Sequence, residues 1–186
     1  MDVAAEVEVD HNPIVDLGPF PEQLRSMQKA QADLNKAQDA LKETAQATVM
    51  ECQEALRFQN EQLLKVDRAK DRTRLTAIFR DLPDRRFYIY WVDQRFLRKK
   101  PDGVIRPPIK THIKKGRESD RYPVTTLRRY MKGWEDEIVC EFEDRFQDLR
   151  AQSKAAAEAN RRLEIFIRVL TEPPSVRQQK ALEKDA

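Results

Sequence analysis

Glycine, histidine and cysteine are scarce in this chain, and each shortage excludes a class of site. The 186 residues include four glycines, which stand far apart, so the sequence contains no glycine-rich phosphate loop. The two histidines and two cysteines lack the spacing of a zinc site. We therefore expect no metal centre and no cofactor.

Long hydrophobic runs are missing as well. No stretch approaches the roughly 18 apolar residues of a membrane-spanning helix, and the N-terminus lacks the features of a signal peptide. The acidic pairs lie in mixed charged surroundings rather than in an apolar pocket, so no catalytic residue is predicted. Cys52 and Cys140 occupy apolar helix positions, which predicts reduced thiols in an intracellular protein, cytoplasmic or nuclear.

Charge, by contrast, is abundant and unevenly distributed. Residues 85–134 contain 15 Lys or Arg against 4 Asp or Glu, a local net charge of +11, whereas the whole chain carries only +3. The same segment holds 8 of the 14 aromatic residues. Positive charge attracts polyanions, and flat rings stack on bases or fill a small core. This segment is therefore the predicted binding region.

The apolar pattern on either side of this region predicts long helices. Apolar or small residues recur at steps of three and four over residues 22–81 and again from about residue 123 to 170. We predict a mainly α fold in which the two helices form an antiparallel coiled-coil-like stalk. The first apolar stripe is rich in Ala and Thr and buries little surface, which favours a homodimer or higher oligomer formed through the helices.

A β-hairpin is predicted between the helices. Residues 86–92 are the densest run of strand-forming residues, and Pro101, Asp102 and Gly103 give a strong turn signal. A second, weaker strand is predicted over residues 104–113. Because Pro107 and Pro108 cannot donate backbone hydrogen bonds, it must lie at an edge or be broken at its middle.

The predicted organisation is one elongated domain in five segments. These are an acidic flexible arm over residues 1–20, a long helix over 21–82, a basic β-hairpin head over 83–121, a second long helix over 122–172 and a polar tail over 173–186. The arm carries five acidic groups and nothing basic, which makes it a candidate competitor for the head.

The head aromatics admit two interpretations. In the first, Tyr88, Tyr90 and Trp91 stack on nucleic-acid bases. In the second, the aromatics form the core between hairpin and helices, with Tyr130 and Trp134 packing beneath the first strand.

These features predict a non-enzymatic protein that binds nucleic acid mainly through phosphate contacts. The expected contact residues are basic and lie on or beside the hairpin: Arg95, Arg98, Lys99, Lys100, Arg106, Lys110, Lys114, Lys115, Arg117, Arg128 and Arg129. DNA and RNA are equally compatible with the pattern. The alternative is a structural or adaptor subunit whose basic head docks on an acidic protein surface. A further interpretation is that the positive charge of the head is neutralised within the protein, because residues 135–172 carry a net charge of −4.

Overall fold

The computed structural model describes residues 21–66, 68, 71–83, 85–95, 108–116 and 119–172. Within them the chain is mostly helical, with two long helices and a small antiparallel sheet that comes between them in sequence. The elements are α1 (Pro21–Lys65), β1 (Leu75–Asp81), β2 (Phe87–Arg95), β3 (Ile109–His112), α2 (Val124–Leu127), a 3-10 turn (Gly133–Glu135) and α3 (Asp136–Thr171). The predicted fold class is confirmed. The acidic arm and the polar tail lie outside the described residues.

The two long helices lie antiparallel to each other. Arg145 of α3 forms an ion pair with Glu51 of α1 at 2.6 Å, and Asn160 donates a hydrogen bond to Asn35 at 3.0 Å. The residue number rises along α3 as it falls along α1, so the chain directions are opposed. No helix in the described part of the chain is both long and apolar enough to cross a membrane.

The first helix is shorter than predicted. It ends at Lys65 rather than near residue 82, and Leu75–Asp81 forms β1. Leu75 and Ala77 are buried at alternate positions, and β1 pairs with β2 from Leu75↔Asp93 to Asp81↔Phe87. Strand pairing satisfies the backbone of this segment and buries its alternate side chains, which outweighs its helix-compatible composition.

The sheet has the order β1-β2-β3, so β3 lies at an edge as the two prolines predicted. β2 and β3 pair from Val92↔His112 to Arg95↔Ile109. The predicted turn between them lies outside the described residues.

The second helix begins later than predicted. Instead of a continuous helix from residue 122, α2 and the 3-10 turn precede α3. The Glu135 carboxylate accepts a hydrogen bond from Lys132 N at 3.0 Å, and Trp134 Nε1 donates to Asp71 O at 2.9 Å. The first bond closes the 3-10 turn, the second ties it to the chain just before β1, and α3 starts only after them.

The core lies between the sheet and the two long helices. Trp91 is fully buried, and its ring lies 5.6 Å from that of Phe146 on α3. Of the two interpretations of the head aromatics, base stacking is therefore wrong for Trp91, and the core interpretation holds for this residue. Trp134 packs against the same core, whereas Tyr130 is 36% exposed.

Both cysteines are free thiols, as predicted, although Cys140 is only half-buried. Burial raises the pKa of the Cys52 thiol to about 12. Cys52 therefore acts as a small apolar residue of the core.

The small residues of α1 allow the helices to approach closely, and this can be tested at Ala45. Ala45 is fully buried within the core, whereas Ala47 is exposed on the same helix. Replacing Ala45 by leucine overpacks the site, and we expect it to lower the free energy of unfolding by about 1–3 kcal/mol. Urea denaturation followed by circular dichroism measures this change. Ala47→Leu is the matched control, expected within about 0.5 kcal/mol of wild type; an equal loss in both variants would contradict close packing at Ala45.

Candidate nucleic-acid interface

The strand registers assign each sheet residue to one of two faces. Leu75, Ala77, Ile89 and Trp91 share the face that packs on the core. The opposite face, referred to below as the outer face, carries the alternate residues of the three strands. Its members are Thr76, Ile78, Arg80, Tyr88, Tyr90, Val92, Gln94, Lys110 and His112.

The outer face presents aromatic rings beside cations. Tyr88 is 55% exposed and stands directly opposite Arg80 of β1. Tyr90 is half-buried, and its ring meets that of His112 edge-on at 5.0 Å. Lys110, two residues before His112, is exposed on the same face. Exposed rings next to positive charges suit a ligand with flat bases and phosphates.

The structure places the predicted contact residues at several positions. Lys110, Lys114 and Arg129 are exposed, and none of them forms an ion pair with another described residue. Lys115 is half-buried. Five of the predicted residues lie outside the described part of the chain: Arg98, Lys99, Lys100, Arg106 and Arg117.

Arg95 belongs to a cluster of two cations around one carboxylate. Asp93 is only 2% exposed, and its Oδ2 atom accepts from Arg74 at 2.6 Å and from Arg95 at 3.2 Å. The buried carboxylate fixes both guanidinium groups at the sheet edge. Because one negative charge faces two positive charges, the cluster keeps a net charge of +1.

Among the predicted contact residues that the structure describes, Arg128 is the most fully neutralised. Its Nε and Nη2 atoms donate to the two carboxylate oxygens of Asp136 at 2.9 and 2.8 Å. This bidentate pair raises the pKa of Arg128 and lowers that of Asp136. Arg121 forms an ion pair with Asp144 through a single contact, from Nη2 to Oδ1. Internal neutralisation by α3 therefore operates at some arginines of the segment but not at Lys110, Lys114 or Arg129.

A groove of about 850 Å³ runs between the start of β2 and α3, with Lys115 and Asp120 also lining it. Lys115 and Lys154 approach the two oxygens of Asp120 at 4.0 and 3.9 Å, again two cations around one carboxylate. Burial, followed by the charge of Arg150, lowers the pKa of Lys115. The lowered pKa therefore reflects mainly the burial of the ammonium group, with the charge of Arg150 as the second cause.

A second cluster of this kind lines the groove one turn further along α3. Glu158 accepts from Arg161 at 3.1 Å and from Arg162 at 3.0 Å. The two hydrogen bonds lower the pKa of Glu158 to about 2. The carboxylate therefore stays ionised, and the cluster retains a net charge of +1.

A buried ion pair supports both the groove and β2. Glu143 is fully buried and accepts from Arg150 Nη1 at 2.8 Å, from Trp91 Nε1 at 2.7 Å and from Tyr122 N at 2.7 Å. Arg150 Nε also donates to Ile89 O at 3.0 Å. The pair therefore joins α3, β2 and the segment before α2, and it holds the groove walls in place.

Sequence reasoning missed several cations that the structure adds to these surfaces. Arg74 immediately precedes β1 and Arg80 lies within it, but this segment was predicted as helix. The alternation of Leu75 and Ala77 was the sequence signal that indicated a strand. Lys154 and Arg161 follow Arg150 along α3 at helical spacing, which places them on one side of the helix. The described residues contain no group of three or more side chains that could hold a metal ion.

Comparison with known proteins gives one family. Neither the curated proteins nor the solved structures contain a significant match to the chain. The family model described as MobI protein matches residues 41–164, about two thirds of the chain. The match covers the second half of α1, the sheet with its outer face and most of α3. The chain belongs to the MobI protein family.

Proposed function

We propose that this protein is a non-enzymatic nucleic-acid-binding protein that acts in plasmid mobilisation. The observation that carries the proposal is the outer face, where the exposed ring of Tyr88 stands opposite Arg80 and the exposed Lys110 of β3 pairs with Gln94 further along β2. The family supports it, because MobI is a mobilisation-related family. A plasmid is DNA, so DNA is the expected ligand.

Phosphate contacts supply the affinity in this proposal. Lys110, Lys114 and Arg129 are exposed and form no ion pair within the described residues, so they are available to phosphates. Each contact releases condensed counterions, which makes binding fall steeply with salt. Asp93 pairs with both Arg74 and Arg95 and fixes their positions. The three side chains together carry a net charge of +1.

Fluorescence anisotropy with labelled duplex DNA, single-stranded DNA and RNA tests the proposal. We expect salt-sensitive binding of DNA, with the logarithm of the association constant falling by about 0.9 per phosphate contact for each unit of log salt on duplex. The same measurement on a negatively charged protein surface, such as a polyglutamate peptide, is the control for non-specific attraction. An absence of DNA binding at low salt, or equal affinity for polyglutamate, would refute the proposal.

A second candidate function, an adaptor subunit, is favoured by the end of α3. Ile165, Phe166 and Val169 are 47%, 56% and 45% exposed. Exposed apolar residues at adjacent helical positions are typical of protein interfaces. In this alternative the helices pack with other subunits or with a second copy, and the positive charge meets an acidic protein. Failure to bind any nucleic acid in the anisotropy experiment would favour it.

A further inference from the structure

We propose that the preferred ligand is single-stranded DNA, with bases stacked on Tyr88 and Tyr90 and with the sugar-phosphate backbone held in the groove between β2 and α3. This inference rests on the proposed function and specifies its substrate class. Three features of the molecule support it: the short β3, the position of Tyr88 and the charge clusters of the groove.

The groove exists because β3 is short. β3 pairs only with the second half of β2, from Val92 to Arg95. Beside the first half, Ile113 N donates to Trp91 O at 2.9 Å and Arg150 Nε donates to Ile89 O at 3.0 Å. Beside the first half of β2, Ile113 and the α3 residue Arg150 thus take the place of a neighbouring strand. The space along this edge of the sheet is left open and forms the groove.

Tyr88 belongs to both surfaces. Its position in β2 places its side chain on the outer face, and the residue also lines the groove. A polymer whose bases lie on the outer face can therefore pass its backbone into the groove at this residue. Tyr90 continues the aromatic surface along the same strand, with its ring supported by His112 at 5.0 Å.

Ring stacking selects single strands. In a duplex the base faces are covered by neighbouring bases, whereas an unpaired base offers its face to an aromatic side chain. Tyr88 is 55% exposed, so its ring is available without rearrangement of the sheet. A duplex would gain phosphate contacts on this surface but no stacking.

The groove clusters suit a backbone with repeated charges. Lys115 and Lys154 share Asp120, and Arg161 and Arg162 share Glu158. Each cluster retains a net charge of +1. Glu158 is hydrogen-bonded to both of its arginines, whereas the two lysines lie 3.9 and 4.0 Å from the oxygens of Asp120. Because the clusters follow one another along α3, successive phosphates of a flexible single strand can reach both.

The test compares binding of labelled oligothymidylate and of a labelled duplex hairpin to full-length variants. We expect Tyr88→Ala to weaken oligothymidylate binding roughly five- to hundredfold, since stacking contributes that much per base, and to leave duplex binding unchanged. Tyr88→Phe retains the ring and is expected to bind as wild type. Tyr130→Ala, which removes a 36% exposed tyrosine outside the sheet, is the matched control and should bind both ligands normally.

A lysine variant tests the backbone path separately. Lys154 is 74% exposed along its side chain, so Lys154→Gln should fold normally. We expect it to reduce the salt slope for oligothymidylate by roughly 0.7, the value for one phosphate contact on a single strand. Lys29→Gln on α1 is its control, and thermal denaturation by circular dichroism confirms that each variant is folded.

The outcomes separate this inference from the proposed function. Binding of duplex but not of oligothymidylate, or single-strand binding that Tyr88→Ala leaves unchanged, overturns the single-strand proposal while nucleic-acid binding stands. An equal loss of both ligands in folded Tyr88→Ala also overturns it, because stacking is then not the cause. Absence of binding to either ligand by wild type overturns both proposals.

Discussion

Replacing Glu143 by alanine is expected to lower the free energy of unfolding by about 3–5 kcal/mol, the range for removing one partner of a buried ion pair. Small domains have a total stability of about 5–15 kcal/mol, so this loss is a large fraction of the total. Urea denaturation followed by helical circular dichroism measures the loss.

The size of this effect follows from the groups that the substitution leaves behind. The side chain of Arg150 is 7% exposed and would keep its charge without the carboxylate. Trp91 Nε1 and Tyr122 N, which both donate to Glu143 at 2.7 Å, would lose their acceptor. Uncompensated buried charge costs more than the ion pair contributes, so the loss comes mainly from the orphaned partners.

Two comparisons isolate that cause. Glu51→Ala breaks an ion pair of similar length, 2.6 Å to Arg145, but the two side chains are 55% and 41% exposed; we expect a loss of about 0–1 kcal/mol. The double variant Glu143→Leu with Arg150→Met removes both buried charges and is expected to recover part of the stability. A double variant less stable than Glu143→Ala would show that orphaned charge is not the main cost.

The long helices and β2 could be predicted because their signals are local. Apolar spacing of three and four marks a helix within a few turns, and the aromatic run of β2 marks a strand within seven residues. The signal for β1 was weaker. Leu75 and Ala77 alternate as in a strand, but an alternation of two residues next to Arg72 and Arg74 fits a helix as well. The conformation of β1 is decided by pairing with β2, which follows later in the chain.

The binding surface was predictable in composition but not in arrangement. The charge excess and the aromatic residues are visible in the sequence, but the sequence does not show which aromatic residues are buried and which are exposed. Trp91 enters the core, whereas Tyr88 stays 55% exposed, and only the strand register distinguishes the two. Glu143 and Arg150 look like ordinary charges of an exposed helix face; their burial depends on Trp91, which lies 52 positions from Glu143 in the sequence.

Reversing the charge of two lysines on and beside β3 is expected to weaken DNA binding by roughly a hundredfold or more at moderate salt. Lys110 and Lys114 are exposed and form no ion pair within the described residues, so Lys110→Glu with Lys114→Glu places repulsive charges where we expect phosphates. The milder pair Lys110→Gln with Lys114→Gln is expected to reduce the salt slope by about 2, or about 1 for each lost phosphate contact.

The control must change the net charge equally without touching the sheet. Arg25 and Lys29 are exposed in the first turns of α1, so Arg25→Glu with Lys29→Glu has the same total charge as the β3 variant. If DNA were attracted only by net charge, the two reversals would weaken binding equally. Loss confined to the β3 pair, with unchanged helical content in both proteins, places the phosphates on the sheet. Equal losses, or a normal salt slope after Lys110→Gln with Lys114→Gln, would exclude these lysines from the interface.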